Sequence, residues 1–179
     1  MNRIRLRVFM LICVVLTLAA FVRHAAAAPS TAVPITLEGV PNLHRVADNF
    51  YRSAQPTKEG FLNLEALGIR AVINLRAFHD DDLSGTNMRA ISMPMRAWNP
   101  ETDDILRVMR ILSDDDGGPY LVHCQHGADR TGMVTALYRM VFQNWDREDA
   151  IREMTEGGFG YHAIWTEIPK FLRRVDIEF

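Results

Sequence analysis

The sequence predicts an α/β fold: one domain with a central, mainly parallel sheet flanked by helices. Three observations carry this reading. Short runs rich in β-branched and aromatic residues alternate with longer amphipathic ones, the pattern of βαβ units. The run IRAVINLR (69–76) is apolar enough for a strand buried on both faces. Once the first 27 of the 179 residues are set aside, 152 remain, which suits a single packed core.

The elements follow in order. Residues 28–41 read as an extended leader, because Pro29, Pro34 and Pro41 oppose helix. Strands are expected near 43–46 and 49–52, ending at Gln55-Pro56. Thr57 is a candidate N-cap for a helix that runs to Leu67, with Phe61, Leu64 and Leu67 on one stripe and Gly68 as its stop. The strand at 69–76 precedes an acidic loop, 79–87, whose Asp80, Asp81 and Asp82 read as solvated charge. A short strand is expected at 90–94. A helix capped by Asn99 or Thr102 then places Ile105, Val108, Met109 and Leu112 inward. PYLVH (119–123) is the next strand, and it runs into a loop around Gly127 and a long helix from Arg130. A further helix starts with Asp146 as cap, EGGFGYH forms a turn, and a last helix covers about 165–175. Arg52 is expected to be a buried salt-bridge partner. Trp145 and Trp165 are expected in the core.

The chain start is read apart from the fold. Arg3, Arg5 and Arg7 precede an apolar run from Val8 to Val22, and small residues follow at Ala25 to Ala28. This is the layout of a secretory signal peptide, with the cut near Ala27 and export to the periplasm as the expectation. The alternative is a retained anchor, although the apolar run is short for a membrane span. Cleavage removes four of the 20 basic residues and no acids, leaving 16 against 22. That balance argues against nucleic acid or a membrane surface as partner. Of the two cysteines, Cys13 leaves with the signal and Cys124 remains alone, unable to form an internal disulfide.

The chemistry concentrates in HCQHGADRTG (123–132), between a strand and a helix. Loop amides and a helix N-terminus together can cradle an anion. Gly127 permits the tight curl. The same field favours the thiolate of Cys124, the form that attacks. Arg130 can grip two phosphate oxygens with its planar fork, and Thr131 can donate to the departing thiolate. Gln125, His126, Gly127 and Ala128 would line the bound substrate, while His123 reads as a residue that fixes the loop. A nucleophile, an oxyanion cradle and a phosphate clamp thus share one stretch.

This loop resembles the signature of cysteine-dependent protein tyrosine and dual-specificity phosphatases. YRSAQP, GIRAVINLR and the stretch from Tyr120 to Gly160 extend the likeness to the small exported bacterial dual-specificity enzymes of the TpbA-like group. The resemblance covers most of 45–175 and implies a phosphatase domain over 42–179. It places the nucleophile on Cys124, the phosphate-binding arginine on Arg130 and the hydroxyl on Thr131. It also implies a phosphocysteine intermediate, with no metal or cofactor, and a phosphorylated protein or small phosphate ester as substrate.

One departure matters. The family usually has an Asp acid about thirty residues before the cysteine, and here that place falls near Trp98, in MRAWNPETDD. Asp129, beside Arg130, is the first candidate for the proton donor, with Glu101 or Asp103 next. The loop has no Lys, so phosphotyrosine with broad specificity is expected before polyanionic inositol phosphates. A phosphate-binding module without catalysis is the reading from another class.

Overall fold

β-Strands and helices alternate through a computed structural model that describes residues 31–176. The expected signal segment, and with it the cut near Ala27, lies outside the described residues. Among the described residues no helix is long and apolar enough to cross a membrane.

Six strands form one sheet: β1 (Val33–Pro34), β2 (His44–Ala47), β3 (Phe50–Ser53), β4 (Ala71–Asn74), β5 (Arg89–Ser92) and β6 (Tyr120–His123). Their spatial order is β1-β2-β3-β6-β4-β5. β3, β6, β4 and β5 run parallel, and β1 and β2 add an antiparallel edge. The mainly parallel sheet expected from the sequence is therefore present. β6 and β4 are the inner pair of the four parallel strands, and every residue in both is buried.

Helix α1 (Lys58–Ala66) covers one face; α2 (Thr102–Leu112), α3 (Asp129–Gln143), α4 (Arg147–Glu156) and α5 (Glu167–Arg174) cover the other. The strand alternation divides the core accordingly. Val72 and Leu121 meet Phe61 and Leu64 of α1. Ala71, Ile73, Tyr120 and Val122 join Val108, Met109, Met133 and Leu137 on the opposite side. α3 is buried along most of its length, as the helix behind the central strands must be.

Local chemistry explains most boundaries. Thr57 caps α1 by accepting from the Gly60 amide, and Asp146 caps α4 by accepting from that of Glu148. At α2 the cap is Glu101, not Asn99 or Thr102, and its side chain makes no capping bond. The described part of the expected leader, 31–41, contains no helix, and from Ala32 onward it belongs to the domain. Ala32 and Val40 are buried, Val33 pairs with Arg45, and the Thr57 amide donates to Gly39 O. Prolines excluded helix there without excluding an edge strand.

This arrangement brings the C-terminal ends of β3, β4 and β6 side by side. The loops that follow them, including 124–128, share that edge of the sheet, where ligands of open parallel sheets bind.

Candidate active site

Cys124 follows the last residue of β6 and is buried, with a free thiol. The loop after it is held entirely through its carbonyls. Gln125 O accepts from the Gln55 amide (3.3 Å) and His126 O from Asn42 Nδ2 (3.0 Å). Gly127 O accepts from Arg52 Nη2 (2.6 Å) and Ala128 O from the Gly132 amide (2.8 Å). No hydrogen bond among the described residues uses the amides of 125–128 as donors. Carbonyls turned outward leave the N–H groups on the inner side, and the first turn of α3 adds its own unpaired amides. The result is an anion nest.

Gly127 is what allows this curl. Its φ is +67°, and a Cβ there would lie 2.5 Å from the Ser53 carbonyl and the Ala54 nitrogen. Arg52, on β3, is the peg behind it. The guanidinium is fully buried, donates to Gly127 O and lies 3.8 Å from the centre of the Phe159 ring. The expected salt bridge is not its partner: a carbonyl and an aromatic face hold it instead. Burial pushes the Arg52 guanidinium down to about 10 despite the attraction of Glu153 and Cys124.

Arg130 is half-buried, and its Nη1 donates to Leu75 O (3.3 Å). The Leu75 amide in turn donates to His123 O, the carbonyl just before Cys124. The guanidinium thus returns to the strand end that carries the thiol. Thr131 Oγ1 is buried and makes no hydrogen bond, so the expected bond to the sulfur is not made in this conformation. Gln125 and His126 are exposed at the mouth; Gly127 and Ala128 are buried.

His123 acts differently from the expectation. Its Nε2 donates to Asp81 Oδ2 (2.8 Å), and Asp81 Oδ1 also accepts from Gln55 Nε2 (2.8 Å). The Asp81 side chain is 4% exposed, so one carboxylate of the acidic loop is buried, not solvated. Burial alone would raise it, but the His123 and Gln55 hydrogen bonds and the nearby His79 hold it below the usual carboxylate range. His123 therefore ties the 79–87 loop to the strand end, not the cradle loop.

The candidates for proton transfer are scattered. Trp98 is exposed and its ring lies 6.4 Å from that of Trp165. Glu101 is exposed beside Asn99 and Arg96, and Asp103 is exposed in the first turn of α2. Asp129 is buried and accepts from His162 at both oxygens: from the backbone amide at Oδ1 (2.9 Å) and from Nδ1 at Oδ2 (2.9 Å). The His126 ring packs against that of His162, tilted 58°, with centres 5.0 Å apart. His126, Asp129 and His162 offer ligand atoms within 4.8 Å of one another, a set that could take a cation. Burial, and then Asp129, pushes the adjacent Tyr161 hydroxyl up to about 12.

Sequence reasoning missed Asn42, Asp81 and His162. Nothing in the spacing marks them, since the bonds they make span 26 to 117 positions of chain.

The comparisons agree with this geometry. Residues 36–167 match the family described as DSP-PTPase phosphatase fused to NAD+ kinase. The chain is 34% identical over 162 residues to the dual specificity protein phosphatase TpbA of Pseudomonas aeruginosa, covering 87% of this chain and 73% of that one. An inositol diphosphatase of Arabidopsis thaliana is 32% identical over 63% of this chain and 60% of its own. Among solved structures, a cysteine-to-serine variant of P. aeruginosa TpbA in complex with pTyr superposes with a TM-score of 0.74 at 32% identity, covering 85% of this chain and 94% of that one.

Proposed function

This chain belongs to the DSP-PTPase phosphatases, and from that premise we propose that it hydrolyses phosphotyrosine first and other phosphate monoesters more slowly, through a phosphocysteine on Cys124. The cradle carries the reading: four carbonyls tied outward leave an anion nest around the one free thiol of the described residues. Nest amides and the Arg130 fork hold the phosphoryl oxygens. The Cys124 thiolate attacks phosphorus in line, and the ester oxygen leaves with a proton. Water then attacks the phosphocysteine and frees phosphate. Thr131 donates to the sulfur as it departs, which satisfies a hydroxyl that otherwise stays unpaired at roughly 1–3 kcal/mol.

Asp129, bound at both oxygens to His162, is the carboxylate we place in the proton-transfer apparatus, ahead of Glu101 and Asp103. Asp129→Asn is expected to lose most turnover on a phosphotyrosine peptide and far less on an aryl ester with a good leaving group. Inositol phosphates are the second substrate class, supported by the inositol diphosphatase relative. Gln125, His126, Ala128 and Asp129 add no fixed positive charge beside Arg130, which favours less charged esters. Export with a cut near Ala27 completes the proposal; N-terminal sequencing of the protein from a periplasmic fraction checks it.

The deciding experiment is release of p-nitrophenol from p-nitrophenyl phosphate between pH 5 and 8. Turnover abolished by Cys124→Ser is the expected result. Phosphate binding with no turnover at any pH would leave a binding module.

A further inference from the structure

We propose that His162, oriented by Asp129, carries the proton in both steps, delivering it to the leaving oxygen and then taking one from the attacking water. This deepens the phosphatase reading above and rests on it. The observation behind it is the geometry of one imidazole. Both Asp129 oxygens lie against His162 Nδ1, at 3.1 and 2.9 Å, and Oδ1 also accepts the His162 amide at 2.9 Å. A carboxylate accepts, so Nδ1 carries the hydrogen of that contact. Nε2 is then the nitrogen that exchanges a proton. The His162 side chain is 46% exposed while that of Asp129 is 8% exposed, so the ring, not the carboxylate, is the accessible member of the pair.

The turn that carries His162 is fastened to the cradle at several points. Asn42 Nδ2 bridges His126 O and Phe159 O, both at 3.0 Å. Arg52 grips Gly127 O with Phe159 beneath it. The His126 ring, two residues after Cys124, packs against His162 at 5.0 Å. On the far side, the Trp165 amide donates to His162 O, and the Trp165 ring meets Trp98. The segment around Trp98, which has no acid at that position, therefore adjoins the turn that holds the imidazole. Glu101 and Asp103 have no hydrogen bond to the cradle loop among the described residues.

The step balances. As the sulfur–phosphorus bond forms, the phosphorus–ester oxygen bond breaks, its electron pair goes to the oxygen, and Nε2–H supplies the proton. The ring, now neutral at Nε2, accepts a proton from water as its oxygen bonds phosphorus. The sulfur–phosphorus bond then breaks and returns the thiolate. Asp129 is a positioning residue in this scheme, holding the ring through Nδ1.

The test compares kcat/KM for phenyl phosphate and 2,4-dinitrophenyl phosphate in the wild-type chain, His162→Gln, Asp129→Asn and the double variant. Loss of a proton donor is expected to lower kcat/KM on phenyl phosphate by about 100-fold or more in His162→Gln. On the dinitrophenyl ester, whose leaving group needs no proton, the loss should stay within about 10-fold. Asp129→Asn should show the same selectivity, and the double variant should be no worse than His162→Gln. Equal losses of His162→Gln on both esters would overturn the proposal, because they indicate a structural role. Selective loss in Asp129→Asn with none in His162→Gln would overturn it in favour of the carboxylate as donor. Activity that requires an added divalent ion and disappears with a chelator would overturn it in favour of a cation on His126, Asp129 and His162. Failure of the wild-type chain to cleave even the dinitrophenyl ester would count instead against the phosphatase reading.

Discussion

Gly127 answers to two separate demands, one of backbone and one of space. Its φ of +67° is left-handed, and any Cβ would press on the β3 backbone at 2.5 Å. Gly127→Ala is expected to lower stability by at least about 1–2 kcal/mol from the conformation alone, with the contact adding more. It should also weaken phosphate binding, which thermal denaturation with and without phosphate would reveal. Asp81 gives a pH-dependent prediction at the same scale. Its carboxyl is held below the ordinary range in the folded chain, so its contribution is present above the unfolded value and lost as pH falls through the folded one. The Tm gap between the wild type and Asp81→Asn should therefore be widest near pH 7 and narrow from about pH 5 to pH 3. A gap independent of pH would mean that the His123 bond, not the charge, does the holding.

Helices α3 and α4 are joined by chemistry that is buried and charged. Arg139 Nε and Nη2 donate to the two oxygens of Glu153 at 2.9 and 2.8 Å, and both side chains are almost wholly enclosed. Arg139 also donates to Val46 O and Gln143 Oε1, so it links α3 to β2 as well. Gly132 lets the two helices approach, since a Cβ there would meet Met154 at 2.8 Å. Glu153→Ala leaves a buried guanidinium without its counter-charge and is expected to destabilise by about 3–5 kcal/mol. In a domain of this size that lowers Tm by roughly 10 °C. The double change Arg139→Met with Glu153→Leu should be less harmful than Glu153→Ala alone, because no charge is then stranded. Chemical denaturation of the three proteins decides this.

At the scale of the molecule, the site is an edge of the sheet onto which distant segments converge. Residues 32–41 illustrate it. They add β1 to the sheet edge, and the Ala32 amide donates to Glu153 Oε1 on α4 (3.0 Å). A chain begun at residue 42 is expected to be less stable than one begun at residue 31, through lost burial of Ala32 and Val40 and a broken Glu153 network. Equal melting temperatures would show that this edge contributes nothing. Asn42 ties the cradle loop to the Phe159 turn and becomes the free terminus of the shorter chain, so its hold should loosen and phosphate should bind more weakly.

By itself the sequence determined the alternation of strands and helices, the sheet class and the loop from Cys124 to Thr131. These are local properties, set by periodicity over a few residues, by caps such as Thr57 and Asp146, and by a glycine at the tight curl. Boundaries at edges were less legible: the proline-rich leader became a strand, and α2 took Glu101 as its cap without a capping bond. Only the tertiary structure decided what surrounds that loop. It set Arg52 against a carbonyl and a ring, buried Asp81 against His123, and brought His162 to Asp129 across 33 positions of chain. Such pairs leave no periodic trace, because their spacing depends on how far the intervening helices and turns travel before the chain returns to the same sheet edge.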